Sequence, residues 1–311
     1  MSDLRISAIV PYFEAHKTIE SALRSLVEGD LPPNEIIVVN DGSSKKSREQ
    51  LEDVVLRLRY PSITIVDHQN NLGGGFARNT AVLHSKNKWI FCLDADNLAS
   101  KTLLKSLAGF IEESAGTVEV ASPERVVYFD DPTATVSHAW TFRNSDHSIE
   151  EYIKHAVLPG ASGNYLFSLD SWYRAGGYPI GARALDAWGF GFRLHLAGCQ
   201  TLVVPGTFYF HRIGLPSYYL RESKDMERLS LIATAQILQD ASRLPSKLVR
   251  RFLHARTARS WLRKVKPPRN YNDPRLGSDE GFTTPWEAME HSDLQGLHHM
   301  LLKLERRLER P

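Results

Sequence analysis

Apolar positions along the first hundred or so residues fall into two alternating patterns. Short continuous runs appear at Ile6-Ser7-Ala8-Ile9-Val10-Pro11, Glu35-Ile36-Ile37-Val38-Val39, Ile63-Thr64-Ile65-Val66 and Trp89-Ile90-Phe91-Cys92-Leu93. Runs of this length and composition predict strands buried on both faces. Between the first two, Ile19, Ala22, Leu23 and Leu26 keep the i, i+3, i+4, i+7 spacing of an amphipathic helix, ended by Gly29 and Pro32-Pro33. Helices are predicted over about 47–59 and 76–85, and another from near Ser100. Successive strand–helix units predict a mostly parallel α/β sheet flanked by helices on both faces.

Beyond this the pattern loosens. Val118-Glu119-Val120-Ala121 and Asn164-Tyr165-Leu166-Phe167-Ser168 read as strands, and 128–158 is polar and irregular. A short helix over 171–175, a turn at Gly176-Gly177-Tyr178-Pro179 and a helix over 186–197 follow. Thr201-Leu202-Val203-Val204-Pro205 reads as an edge strand because of its proline, and it leads into Phe208-Tyr209-Phe210-His211. From Pro216 the spacing turns helical, with a break at Pro267-Pro268, a loop over 270–285 and a last helix over 286–310. The expected organisation is one α/β domain over 1–217, with a first half over about 1–110 and a second over about 111–217. A helical C-terminal extension over 218–311 completes it.

Composition changes this picture little. The chain has 311 residues, 42% hydrophobic and 24% charged, with a formal net charge of +2. That balance excludes a whole-molecule field for nucleic acid. Charge is uneven, however: residues 245–269 carry nine Lys/Arg and no Asp or Glu. Phe252 and Trp261 are too few aromatics for a base-stacking surface, so no nucleic-acid partner is expected. Two readings stand for this tract: a solvated helical face, or a helix that meets an anionic membrane surface peripherally. Cys92 and Cys199 both sit in apolar surroundings and read as buried thiols of a reducing compartment. With no signal-peptide pattern and no apolar run long enough for a bilayer, the expected location is cytoplasmic.

The candidate chemistry gathers where predicted strands end. Asp94-Ala95-Asp96-Asn97 follows the fourth run. If the backbone stays extended through Ala95, both carboxylates share one side, an arrangement that a divalent cation relieves. The competing reading is that they cap the next helix. Asp41-Gly42 follows the second run, and Asn71-Leu72-Gly73-Gly74-Gly75 with Arg78 follows the third. Ligands of parallel α/β sheets lie outside the carboxyl ends of the strands, which brings these groups to one edge. Asp41 would accept from a base or ribose, the glycines would admit close backbone approach, and Arg78 would add positive charge. His211 is a candidate third metal ligand or diphosphate contact.

Other folds fail on detail. No GxGxxG follows the first strand and no GxxxxGK[ST] occurs, which excludes a dinucleotide oxidoreductase and a P-loop enzyme. Asp94-Ala95-Asp96-Asn97 lacks the glycine a calcium loop needs, since Ala99 stands there. The motif order instead resembles family 2 glycosyltransferases of the glycosyltransferase-A, Rossmann-like fold, over about residues 6–217. Ile9-Val10-Pro11-Tyr12-Phe13-Glu14 is similar to the family's opening Pro-x-Tyr-Asn segment, with Phe13 and Glu14 as departures. Asn40-Asp41-Gly42-Ser43 is similar to its Asp-Asp-Gly-Ser, with Asn40 replacing the first aspartate. Asn71-Leu72-Gly73 with Ala77-Arg78-Asn79, and Asp94-Ala95-Asp96-Asn97, match closely. Gly163-Asn164 with Gly176-Gly177-Tyr178, and His211 with Gly214 and Ser217, match less specifically.

The resemblance implies a sugar transfer from a nucleotide diphosphate donor, a UDP-sugar above all, to a hydroxyl of a glycan or lipid-linked glycan, as in polysaccharide biosynthesis. It implies that Pro11, Tyr12, Glu14, Asp41, Arg78 and Asp94 line the nucleotide site. Asp94, Asp96 and His211 would hold Mn²⁺ or Mg²⁺, and Gly177 and Trp188 would lie on the acceptor side. Inverting members use the second residue of a Glu-Asp pair before a helix ending in Arg-Leu. Alignment on Arg193-Leu194 puts Asp186 at the first position and Ala187 at the second, so Asp186 is the expected general base. Its competing reading is a cap of the helix that follows. Trp188 reads equally as acceptor contact or core. Two rival functions stay open: a sugar-nucleotide binding module that lacks transfer, and a Mg²⁺-dependent phosphatase.

Overall fold

The computed structural model describes residues 4–130, 136, 138–143, 163–180 and 185–213. The expected helical extension over 218–311, its basic tract 245–269, Gly214 and Ser217 lie outside the described residues. Nine strands form one sheet: β1 (Ile6–Tyr12), β2 (Glu35–Asp41), β3 (Ile63–His68), β4 (Trp89–Cys92), β5 (Leu98–Ala99), β6 (Val120–Phe129), β7 (His138–Thr141), β8 (Leu166–Ser168) and β9 (Thr201–Arg212). The described helices are α1 (Ile19–Val27), α2 (Lys45–Leu58), α3 (Gly74–His84), α4 (Leu103–Glu113), α5 (Leu169–Ala175) and α6 (Asp186–Leu196).

Strand order is β3-β2-β1-β4-β8-β6-β9-β5, with β7 paired to β6. The first four strands pair in parallel, as the strand–helix alternation predicts. Beyond β4 the sheet becomes mixed: β8 runs antiparallel to β4 and β6, while β6 and β9 pair in parallel. The parallel half obeys the two-residue side-chain period closely. Ala8, Val10, Ile36, Val38 and Phe91 enter the core layer that also holds α1 and α4 residues. Ile9, Ile37, Val39, Ile90 and Cys92 enter the opposite layer, with residues of α3, α5 and α6. Both faces are therefore apolar, which is why these strands read as continuous runs.

Helix ends follow local chemistry. Ser44 accepts from Ser47 N–H to cap α2, and Ser168 accepts from Ser171 N–H at 3.0 Å to cap α5. Ile19, Ala22, Leu23 and Leu26 of α1 are fully buried, as the spacing requires; each leucine contributes roughly 2 kcal/mol through burial.

The strand from Thr201 runs on past its proline as β9: Thr201–Val204 pair with β6, and the two-residue β5 adds to the other side only at Tyr209 and Phe210. The proline is accommodated at a break in the β6–β9 register, which jumps from Pro123↔Val204 to Arg125↔Phe208. There Gly206 N–H donates to Glu124 at 2.9 Å and Glu124 N–H to Thr207 Oγ1 at 3.1 Å, so both amides keep a partner. One expectation is corrected: extension through Ala95 fails. The chain turns after Asp94, closed by Asn97 N–H to Asp94 C=O at 3.0 Å, and the helix expected near Ser100 begins at Leu103 after the two-residue strand β5.

Candidate functional site

The carboxyl ends of β1, β2, β3 and β4 set out the site, and each delivers a group held by its neighbours. After β2, Asp41 is buried and spoken for. Its Oδ1 accepts from Leu72 N–H at 2.9 Å and its Oδ2 from Gly73 N–H at 2.8 Å. The anion at the amides leading into α3 is thus Asp41 itself, which ties the glycine loop down. Gly42, at φ 69°, lets that loop close over it: a Cβ there would stand 2.3 Å from the Asn70 carbonyl carbon. His68, at the end of β3, adds a further contact to Asp41 Oδ1 at 2.8 Å.

After β1, Pro11 and Glu14 stand near the same edge, and Tyr12 does not present itself there. Tyr12 is 1% exposed, and its hydroxyl donates to Ser47 C=O at 2.8 Å, pinning α2 to the sheet. Glu14 has a left-handed backbone, φ 50°. Its carboxylate accepts from Ser44 N–H at 2.5 Å, and its own N–H donates to Ser43 Oγ at 3.0 Å. Burial pushes the Glu14 carboxyl up, but the Ser44 bonds outweigh it and the net shift is downward. Phe13 between them is 48% exposed.

After β4, the acidic motif meets a buried cation. Arg78 of α3 forks between two carboxylates: one terminal nitrogen donates to Asp94 and the other to Asp186. Burial lowers the guanidinium's proton affinity, but Asp186 and Asp94 together hold it well above its usual value. Asp94 also accepts from Asn97 Nδ2 at 3.3 Å, and its N–H donates to Asn164 Oδ1 at 3.3 Å. Gly74 and Gly75 are needed where they are: a Cβ on Gly74 would lie 2.6 Å from Asp186 Oδ2, and one on Gly75 2.6 Å from the Pro179 carbonyl oxygen. The glycines that read as close-approach positions admit α6 and the Pro179 turn to the start of α3.

Asp96 differs from Asp94. Burial, and then the Asp94 charge, push its carboxyl up to about 6. Its backbone carbonyl accepts from Arg212 Nε at 3.2 Å. The two aspartates thus influence each other across a turn rather than along an extended strand, and neither caps α4, whose N-cap is Thr102. His211 packs its ring on Tyr128 at 5.3 Å, and burial holds its imidazole below the usual range despite the nearby Asp94 charge. Among the described residues, no group of three His, Cys, Asp or Glu side chains converges closely enough to hold a metal ion. Asp94, Asp96 and His211 therefore do not form a ready three-ligand cage.

On the expected acceptor side, Asp186 is the first residue of α6 and 7% exposed. Its Oδ1 accepts from Ala187 N–H at 2.7 Å, and because the N-cap of α6 is Leu185, Asp186 lies inside the first turn and is not the cap. Burial raises its proton affinity, with Arg78 opposing and Asp94 adding. Trp188 is 3% exposed and stacks parallel on Phe192 at 5.6 Å, which makes it core. Gly177, at φ 70°, belongs to the turn that Asn79 clamps. Asn79 Oδ1 accepts from Trp172 Nε1 at 3.1 Å and Tyr178 N–H at 2.8 Å, while its Nδ2 donates to Tyr178 C=O at 2.8 Å.

Sequence reasoning missed His68, Asn97, Asn164 and Arg212 as supports. His68 had a legible signal: continuing the third strand by two residues puts it in phase with Val66.

A buried Arg between two carboxylates at the switch from parallel to mixed pairing, beside an aspartate-locked glycine loop, is the frame against which known proteins compare. Residues 7–171, just over half the chain, match the model for glycosyl transferase family 2, and the chain belongs to that family. Poly(ribitol-phosphate) beta-N-acetylglucosaminyltransferase TarS of Staphylococcus aureus is 30% identical over 113 residues, 35% of this chain and 19% of that protein. The crystal structure of S. aureus TarS 1–349 with UDP-GlcNAc matches with TM-score 0.59 at 19% identity, covering 85% of this chain and 76% of that one. Mannosyltransferase PcManGT from Pyrobaculum calidifontis, with GDP-Man and Mn²⁺, matches with TM-score 0.58 at 19% identity, covering 96% and 84%. These structural matches establish the glycosyltransferase-A fold. The sequence match spans about a fifth of the TarS chain. No helix among the described residues is long and apolar enough to cross a membrane.

Proposed function

We propose that the chain is a nucleotide-sugar-dependent glycosyltransferase that moves a sugar from a UDP-sugar to a hydroxyl of a glycan or lipid-linked glycan. The observation that carries this reading is the Asp94–Arg78–Asp186 fork. It joins the family's acidic motif to the helix where an acceptor-side carboxylate is expected. A UDP-sugar is the preferred donor because TarS, the relative above, is crystallised with UDP-GlcNAc.

The residues fit a divalent cation, Mn²⁺ or Mg²⁺, although no three-ligand cage is preformed. Such ions are commonly held by one or two carboxylates plus substrate phosphates. Both Asp94 oxygens already take protein donors, whereas Asp96 is a half-buried carboxyl with raised proton affinity beside another carboxylate. Asp96 would be the main protein ligand, with Asp94 and His211 near it. When bound, the ion neutralises charge on a departing diphosphate.

The transfer itself is a displacement at the anomeric carbon. The acceptor oxygen forms the new bond, the bond to the diphosphate breaks with its electron pair leaving on oxygen, and the acceptor proton passes to a carboxylate. We assign that carboxylate to Asp186, whose burial-raised proton affinity suits a base. Single displacement makes the transfer inverting. The ion pair with Arg78 favours a second reading, in which Asp186 anchors Arg78 and the proton goes elsewhere.

Assay of purified full-length protein with UDP-sugars, Mn²⁺ and glycan acceptors, for wild type and Asp186→Asn, separates these. A base predicts roughly a hundredfold or greater loss of kcat with UDP affinity kept. An anchor predicts weakened UDP binding as well. Full activity in Asp186→Asn removes it from the chemistry. Phosphate release from simple esters, or donor binding with no transfer, turns the reading to a phosphatase or a binding module.

A further inference from the structure

Asp41, His68 and Thr80 form a chain of contacts that none of the steps above uses. The His68 ring spans from β2 to α3, with Nδ1 2.8 Å from Asp41 Oδ1 and Nε2 3.0 Å from Thr80 Oγ1. Phe76 packs edge-on against it at 5.4 Å. The pair is nearly dry, with side chains 9% exposed for His68 and 4% for Asp41. A carboxylate only accepts, so Nδ1 carries the hydrogen and donates; in the neutral ring Nε2 is then the acceptor for the Thr80 hydroxyl.

The donors around Asp41 can be counted. Oδ1 receives Leu72 N–H and His68 Nδ1–H, and Oδ2 receives Gly73 N–H. A carboxylate offers about four acceptor positions, so these bonds leave about one, on Oδ2. The two amides, one on each oxygen, set the rotation of the Asp41 carboxylate, and the ring saturates Oδ1.

We propose that His68 is a positioning residue that sets nucleobase selectivity through Asp41. A single remaining acceptor fits the one imide N–H of uracil and does not fit the adjacent N1–H and N2–H of guanine, which need two. Removing the ring frees a second acceptor position, on Oδ1, while the amides keep the carboxylate in place, so the uracil preference narrows. This rests on the reading of Asp41 as a nucleotide contact.

Isothermal titration of the full chain with UDP and with GDP, each with Mg²⁺, tests it in wild type, His68→Leu, His68→Gln and Thr80→Val. Wild type is expected to favour UDP. In His68→Leu the UDP preference is expected to narrow about tenfold through a gain in GDP affinity, the worth of one hydrogen bond to a charged group. His68→Gln, whose amide supplies both a donor and an acceptor, is expected to restore most of the preference. Thr80→Val, which removes only the far anchor, is expected to shift the ratio in the same direction by less, and it carries the test if His68→Leu does not fold. Equal weakening toward both nucleotides would mean a purely structural role and overturns the proposal. An unchanged UDP-to-GDP ratio in folded His68→Leu overturns it too, while leaving Asp41 as a nucleotide contact. Wild type that binds neither nucleotide overturns both.

Discussion

Glu14 stands where the resembled family carries Asn, and its backbone explains the family's choice. At φ 50° the residue is left-handed, a conformation in which Asn is enriched and Glu is not. Glu14 tolerates it because its carboxylate takes the Ser44 amide and its own amide reaches Ser43. Glu14→Ala keeps the strain and loses the carboxylate's bonds, so urea denaturation should show a loss of about 1 kcal/mol. Glu14→Asn should be close to neutral. Asn40 is a departure with a similarly local cause. Its Nδ2 donates to Asp67 Oδ1 at 2.8 Å, and an aspartate there would set two carboxylates together. The Arg48 bond, against some desolvation, holds the Asp67 carboxyl below its usual range. A lowered carboxyl contributes stability above its ordinary value that is lost as pH falls through the native one. Asp67 is 48% exposed, so screening leaves roughly 0.5 kcal/mol. Thermal melts should show Arg48→Met less stable than wild type near pH 7, with the gap closing near pH 3. Neither compensation was legible in the sequence, since both depend on side chains 19 or more residues away.

At the scale of elements, strand and helix identities in the parallel half followed directly from apolar spacing, because both sheet faces bury and each helix has one apolar stripe. What spacing did not convey was where elements bend. The turn after Asp94 interrupts an apolar run that pattern alone extends, and a backbone bond from Asn97 decides it. β6 reaches Phe129 through Pro123 and Glu124, residues that argue against a strand until the bulge opposite them is seen. The Gly176-Gly177-Tyr178 turn is another case: it reads as an acceptor segment but is clamped to α3 by Asn79. Asn79→Asp keeps the acceptor oxygen and turns the donor into an oxygen facing the Tyr178 carbonyl. It should destabilise the fold by about 2 kcal/mol in chemical denaturation, despite equal size.

For the molecule as a whole, Arg78 ties the acidic motif to α6. Its presence in the site was legible from the motif; its partners were not, because Asp186 lies 108 residues away in sequence. A lysine has one nitrogen where Arg78 uses two to span Asp94 and Asp186, so Arg78→Lys leaves one carboxylate poorly compensated. A loss of about 3 kcal/mol by denaturant titration is expected, with donor binding weakened in parallel.

That 108-residue span also says something about how the chain reaches this state. Loop closure over such a distance must precede the fork, whereas β1, β2 and β3 pair with partners only 27 or 28 residues apart in sequence. Until α6 arrives, Arg78 has only Asp94 to answer its charge. The fork is therefore among the last features to form and, on unfolding, among the first to open. Substitutions in the fork should accelerate unfolding while hardly slowing folding. A nucleotide that bridges the two halves would then act on the chain's lifetime as much as on its chemistry, by holding shut the seam that opens first.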